Sequence, residues 1–135
     1  MRTSELRYQS VVCGCETTDV DSTTVSLWSA DPQVGLCAIS SAKTMFKTVF
    51  ATDLSPARLE QAKKHGAIAL PSSELKQAVL DATDGRGADT ALEVVGNEAA
   101  LMLGFDLLRP FGSLSCVGMQ MKPVTFFGPD LYSKK

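Results

Sequence analysis

A parallel α/β sheet, doubly wound with helices on both faces, is the fold class this sequence predicts, and three observations carry it. From Thr23 onward, short apolar runs alternate with helical periods at least four times. The connections between them are short. Acid, glycine and turn residues also gather where the predicted strands end, at Ser29–Gly35, Asp53–Leu54, Val95–Gly96 and Val117–Gly118. Strands covered on both faces read as continuous apolar runs. Sheets of this kind bind ligands beyond the carboxyl ends of their strands, where the strand order reverses.

Residues 1–22 are polar and rich in Ser and Thr, without a period of 2 or 3.6, and are expected to form a poorly ordered leader. T-T-V-S-L-W (23–28) alternates as a strand does. The run 29–35, S-A-D-P-Q-V-G, leads into a helix with Leu36, Ile39 and Met45 on one side. Val49, Phe50 and Ala51 form a second strand that stops at Asp53. Ser55 then stands at a helix N-cap position, with Pro56 at the first helical position, where its missing N–H costs nothing. Lys63, Lys64 and His65 crowd the last turn, and Gly66 can end it in a left-handed conformation. A buried strand stopping at an acid before a capped helix is how doubly wound folds present a carboxylate to ribose hydroxyls.

A-I-A-L (67–70) is a short apolar run, and Leu75, Val79 and Leu80 mark a third helix. D-G-R-G (84–87) reads as a turn, 88–95 as a strand broken by Gly96, and Asn97 as an N-cap. Leu101, Phe105 and Leu108 define the next helix, R-P-F-G (109–112) a turn, and S-L-S-C-V (113–117) a fifth strand. Residues 119–135 show no clear period.

With 135 residues and a net charge of -2, the chain suits about one soluble domain and gives no electrostatic case for nucleic acid or anionic membrane. No run approaches the ~18 apolar residues of a membrane span. The N-terminus has no apolar signal core, so a cytoplasmic location is expected. Among the four cysteines, Cys13 and Cys15 are too close for the usual zinc knuckle, and Cys37 and Cys116 read as small core residues. The single histidine, His65, sits at a helix end. No metal site and no nucleophile–base pair are expected, so no catalytic residue is assigned.

Several segments together resemble the cofactor-binding half of a zinc-type, medium-chain alcohol dehydrogenase. They are V-G-L-C-A-I-S-S-A-K, A-T-D-L-S-P-A-R-L-E-Q-A-K-K-H-G-A, D-G-R-G-A-D-T-A-L-E-V-V-G and L-L-R-P-F-G-S-L-S-C-V-G, in that order between Thr24 and Lys135. The resemblance implies a Rossmann-like sheet of order 3-2-1-4-5, with residues 23–135 as a partial NAD-binding domain whose sixth strand is missing. It implies that Asp53 holds the adenosine ribose and that Arg58 flanks the adenine side. Val95, Gly96, Val117 and Gly118 would line the nicotinamide side, and the helix starting near Val34 and Gly35 would face the pyrophosphate. Asp53 would favour NAD, since a 2′-phosphate there meets a like charge.

Two departures shape the expectations. The family's G-x-G-x-x-G turn is here Ser29-Ala30-Asp31-Pro32-Gln33-Val34-Gly35, in which only the last glycine survives. A carboxylate 4 Å from a phosphate charge costs about 4 kcal/mol at an effective dielectric of 20, so Asp31 is expected to weaken NAD binding. The family's zinc and most of its alcohol pocket belong to a preceding domain, and no G-H-E or matching Cys/His set occurs here. The chain alone is therefore expected to be inactive, with a fifth strand left as an open edge beside Phe126, Phe127, Leu131 and Tyr132 that invites self-association. Two alternatives stand beside this reading. S-adenosylmethionine-dependent methyltransferases also place an acid after strand two, and a damaged domain can serve as a non-catalytic interaction module.

Overall fold

Strands and helices alternate strictly along the part of the chain that the computed structural model describes, which is residues 32–134 and the backbone of 23–27. The order is β1 (Thr23–Leu27), α1 (Pro32–Met45), β2 (Thr48–Thr52), α2 (Pro56–Lys64), β3 (Ile68–Ala69), α3 (Ser72–Ala82), β4 (Ala88–Glu93), α4 (Glu98–Leu107), β5 (Leu108–Cys116) and α5 (Gly128–Ser133). All pairings are parallel, and the spatial order is β3-β2-β1-β4-β5, as expected. The chain steps outward from β1 to β2 and then returns to place β4 on the other side of β1. That reversal opens a crevice at the carboxyl ends of the strands. The expected leader 1–22 and the turn at Ser29 and Asp31 lie outside the described residues.

The helices cover both faces because the strands are apolar on both. In β2, Val49 and Ala51 pack with Ile39, Ala42 and Phe46 of the α1 side, and with Ala62 of α2. Phe50, pointing the opposite way, packs with Leu75 and Val79 of α3 and Leu107 of α4. Successive side chains of a strand alternate between faces, so one V-F-A run serves two cores. Burying a side chain such as Phe50 or Leu75 contributes about 2 kcal/mol.

Several local expectations change. The buried stripe of α1 runs through Ala38, Ile39, Ala42 and Phe46, whereas Met45 is exposed, because the helix starts at Pro32 and turns that side to solvent. R-P-F-G forms not a separate turn before the fifth strand but a bulge within it, unpaired with β4 between Leu108 and Ser113. After Leu107 the chain passes directly into β5, with Phe111 in the left-handed region at φ 59° and an irregular register against β4. Cys116 is exposed at the end of that edge strand, and Cys37 is only half-buried, so neither is a full core residue. Residues 119–134 double back toward the start of β5. Phe126 meets Phe105 edge-on at 5.2 Å, and the Phe111 N–H donates to the Lys134 carbonyl at 2.8 Å. Two contacts with distant residues, rather than any internal period, place this segment.

Candidate functional site

The candidate site is built where β2 and β4 end. Thr52 and Asp53 close β2, and the chain must then turn sharply into α2. Asp53 organises that turn itself: its Oδ1 accepts the Ser55 N–H at 2.7 Å, and its Oδ2 meets the Arg58 guanidinium at 3.3 Å. Its side chain is almost fully buried, while that of Arg58 is about one-third exposed. Ser55 occupies the N-cap position but makes no side-chain capping bond, contrary to expectation. Its carbonyl accepts from the N–H groups of Arg58 and Leu59 instead. The turn is held by the acid, which leaves the serine hydroxyl unneeded for it. At the other end of α2, Gly66 adopts the expected left-handed conformation at φ 87°.

Beside Asp53 lies a largely apolar cavity of about 450 Å³. Leu54, Val95, Ala99, Ala100 and Leu103 supply apolar wall, and Ser72, Ser73 and Asn97 lie at its polar rim. Asn97 caps α4 as expected, its Oδ1 accepting the Ala100 N–H at 2.8 Å. The buried Thr52 hydroxyl, also in the lining residue set, has no partner among the described residues.

Beneath the neighbouring turns sits an acid to which the sequence reading assigned no role. Glu93 ends β4 and is fully buried. Its Oε1 accepts the Val95 and Gly96 N–H groups at 2.6 and 2.8 Å, and its Oε2 accepts from the Gln120 amide at 3.1 Å. Its main-chain carbonyl accepts from Val117 and Gly118 at 2.7 and 3.0 Å. One residue thus ties together the turns that follow β4 and β5. The turns touch so closely that each needs glycine. A Cβ on Gly96, at φ 81°, would lie 2.6 Å from the Met119 carbonyl oxygen, and one on Gly118 would collide with the Gly96 backbone. The Cys116 thiol, opposite Glu93 in the ladder, is pushed up from its ordinary pKa by burial and then by the Glu93 charge.

The residues singled out from the sequence therefore fall into three groups. Asp53 and Val95 line one cavity, with Arg58 paired to the acid. Gly96, Val117 and Gly118 form the tied turns next to it. Val34 and the buried Gly35 lie in the first turn of α1, which begins two residues earlier than expected. Ser72, Ser73 and Leu103 gave no signal of their own. Glu93 did give one, as the lone charge between Leu92 and Val94 just before a predicted turn.

Residues 34–135 match the family described as zinc-binding dehydrogenase. The chain belongs to the zinc-binding dehydrogenase family. It is 42% identical over 116 residues to zinc-type alcohol dehydrogenase B of Aspergillus flavus, covering 82% of this chain and 27% of that protein. It is 38% identical over 100 residues to sorbitol dehydrogenase of Bacillus subtilis, covering 71% and 28%. Among solved structures, an alcohol dehydrogenase from Thermotoga maritima superposes with a TM-score of 0.84 at 28% identity, over 97% of this chain and 38% of that one. The Thermus alcohol dehydrogenase gives 0.81 at 30%, over 96% and 38%. This zinc-binding dehydrogenase chain therefore spans about a third of the length of the relatives it matches. Among its described residues no three His, Cys, Asp or Glu side chains gather to hold a metal, and no helix is long and apolar enough to cross a membrane. The described residues do not fit a zinc site.

Proposed function

We infer that this chain is the NAD-binding part of a dehydrogenase acting on alcohols or polyols, working in the cytoplasm. One observation carries the reading: a buried carboxylate at the end of β2 borders a largely apolar cavity. The donor set fits a dinucleotide. Asp53 has acceptor capacity left for ribose hydroxyls after binding Ser55 and Arg58, and the unpartnered Thr52 hydroxyl lies beside it. Leu54, Val95, Ala99 and Leu103 offer the apolar surface a base needs. The first N–H groups of α1, around Val34 and Gly35, suit a pyrophosphate. Gly96, Val117 and Gly118 then take the nicotinamide side.

When bound, the nicotinamide would supply the hydride-accepting chemistry. The residues of this chain bind and orient it and shield the ring from water on one side. Asp53 disfavours a 2′-phosphate, but Arg58, 3.3 Å away, offsets part of that repulsion. The preference for NAD over NADP is therefore moderate, roughly tenfold rather than absolute. Calorimetric titration of the purified chain with NAD and NADP tests the reading. Saturable NAD binding, weakened at least tenfold by Asp53→Ala, supports it. Tighter binding of NADP, or NAD binding indifferent to Asp53, would overturn the ribose assignment.

The outer face of β5 also supports self-association, since it lies at a sheet edge with Phe111, Met119, Met121, Phe127 and Tyr132 exposed nearby. Light scattering across a concentration series should show mass rising above the monomer. A constant monomer mass at high concentration would reject it.

A further inference from the structure

The carboxylate of Glu93 is satisfied but not neutralised. Both its oxygens accept N–H bonds, the pattern of an ionised group, and every partner of its side chain among the described residues is a neutral amide. Amide dipoles stabilise such a charge in place without cancelling its field at a distance. The field is strong because the group is fully buried, away from screening water. It sits directly under the turns at Val95–Gly96 and Val117–Gly118.

We propose that Glu93 sets the redox-state preference of the bound dinucleotide, its buried negative charge favouring the oxidised, cationic nicotinamide over the reduced, neutral one. This rests on the dinucleotide reading above. Oxidised and reduced nucleotides share their adenosine and pyrophosphate, so the ratio of their affinities isolates the ring charge. Glu93 also holds the two turns in register, which makes it a positioning residue. That role affects both redox forms alike and cancels in the ratio.

The test measures Kd for NAD⁺ by calorimetry and for NADH by fluorescence, in the wild-type chain and in Glu93→Gln. The glutamine keeps an oxygen for the Val95 and Gly96 N–H groups and removes the charge. The preference for NAD⁺ should fall by roughly tenfold, as expected for a unit charge ~10 Å away at an effective dielectric of 20. Both affinities changing by the same factor would overturn the electrostatic proposal. If Glu93→Gln does not fold, Cys116→Lys gives a second reading. That side chain is exposed and stands opposite Glu93 in the ladder, so its cation should lower the ratio at least threefold. An unchanged ratio there would equally overturn the proposal. A wild-type chain that binds neither nucleotide would instead reject the dinucleotide reading, and this proposal with it.

Discussion

Two strands of this sheet end in an acid, and the two acids are used in opposite ways. Asp53 after β2 holds one backbone N–H and one arginine and borders a cavity. Glu93 at the end of β4 is fully buried, its carboxylate turned onto the Val95 and Gly96 N–H groups and the Gln120 amide. The shorter side chain has acceptor capacity to spare on the cavity side, and the longer one is consumed by the scaffold. Position at a strand end is therefore not enough to mark a ligand-binding acid. What distinguishes the two is how many fixed donors already claim each carboxylate.

The largest effect should follow Glu93→Leu, which fits the apolar strand but strands two backbone N–H groups and the Gln120 amide. About 4 kcal/mol of stability should be lost, read by urea denaturation. A change under ~1 kcal/mol would mean that water or another acceptor replaces the carboxylate. Gly118→Ala attacks the same joint from the other side. Its Cβ would collide with the Gly96 backbone and crowd the Glu93 carboxylate, so a loss of about 3 kcal/mol is expected in the same assay.

Asp53→Ala should separate the two acids most sharply. Folding stability should fall by about 2 kcal/mol through the lost Ser55 and Arg58 contacts, less than at Glu93, while NAD affinity falls roughly a hundredfold through lost ribose hydrogen bonds. A large stability loss with unchanged binding would make Asp53 a second Glu93. The smallest effect is expected at Asn97→Ala, which removes the α4 cap and costs about 1 kcal/mol in thermal or urea unfolding.

The contrast also explains what could be read from the chain without coordinates. The strand–helix alternation, the Asp53 turn and the Asn97 cap are local or periodic signals, and the structure reproduces them, whereas the strand order followed from the family resemblance alone. Ser55 misled because the Arg58 N–H that a capping hydroxyl would take is met by the Ser55 main-chain carbonyl, while Asp53 fixes the turn through the Ser55 N–H. R-P-F-G looked like a turn between two elements, yet it is a bulge inside β5, flanked by Leu108 and Ser113, which pair with β4 on either side of it. Glu93 was visible as a charge in an apolar strand with its Val95 and Gly96 donors close by, but its other donors, Gln120 and the Val117–Gly118 turn, lie more than twenty residues on. Long-range partners of that kind leave no spacing to read. The same holds for the segment carrying α5, which is placed by Phe105 against Phe126 and Phe111 against Lys134 rather than by its own pattern.

The sheet carries a second cavity, of about 280 Å³, at the opposite ends of β4 and β5, lined by Lys76, Arg86, Gly87, Asp106, Leu108 and Lys134 among others. Amide NMR during NAD titration distinguishes the two ends directly. The account predicts that the largest shifts fall on Ser55, Val95, Gly96 and Ala100, around Asp53 and the tied turns. Amides of Gly85, Gly87 and Leu108 should stay still. Shifts concentrated on that second group would contradict the assignment of Asp53 as the acid that receives the ligand.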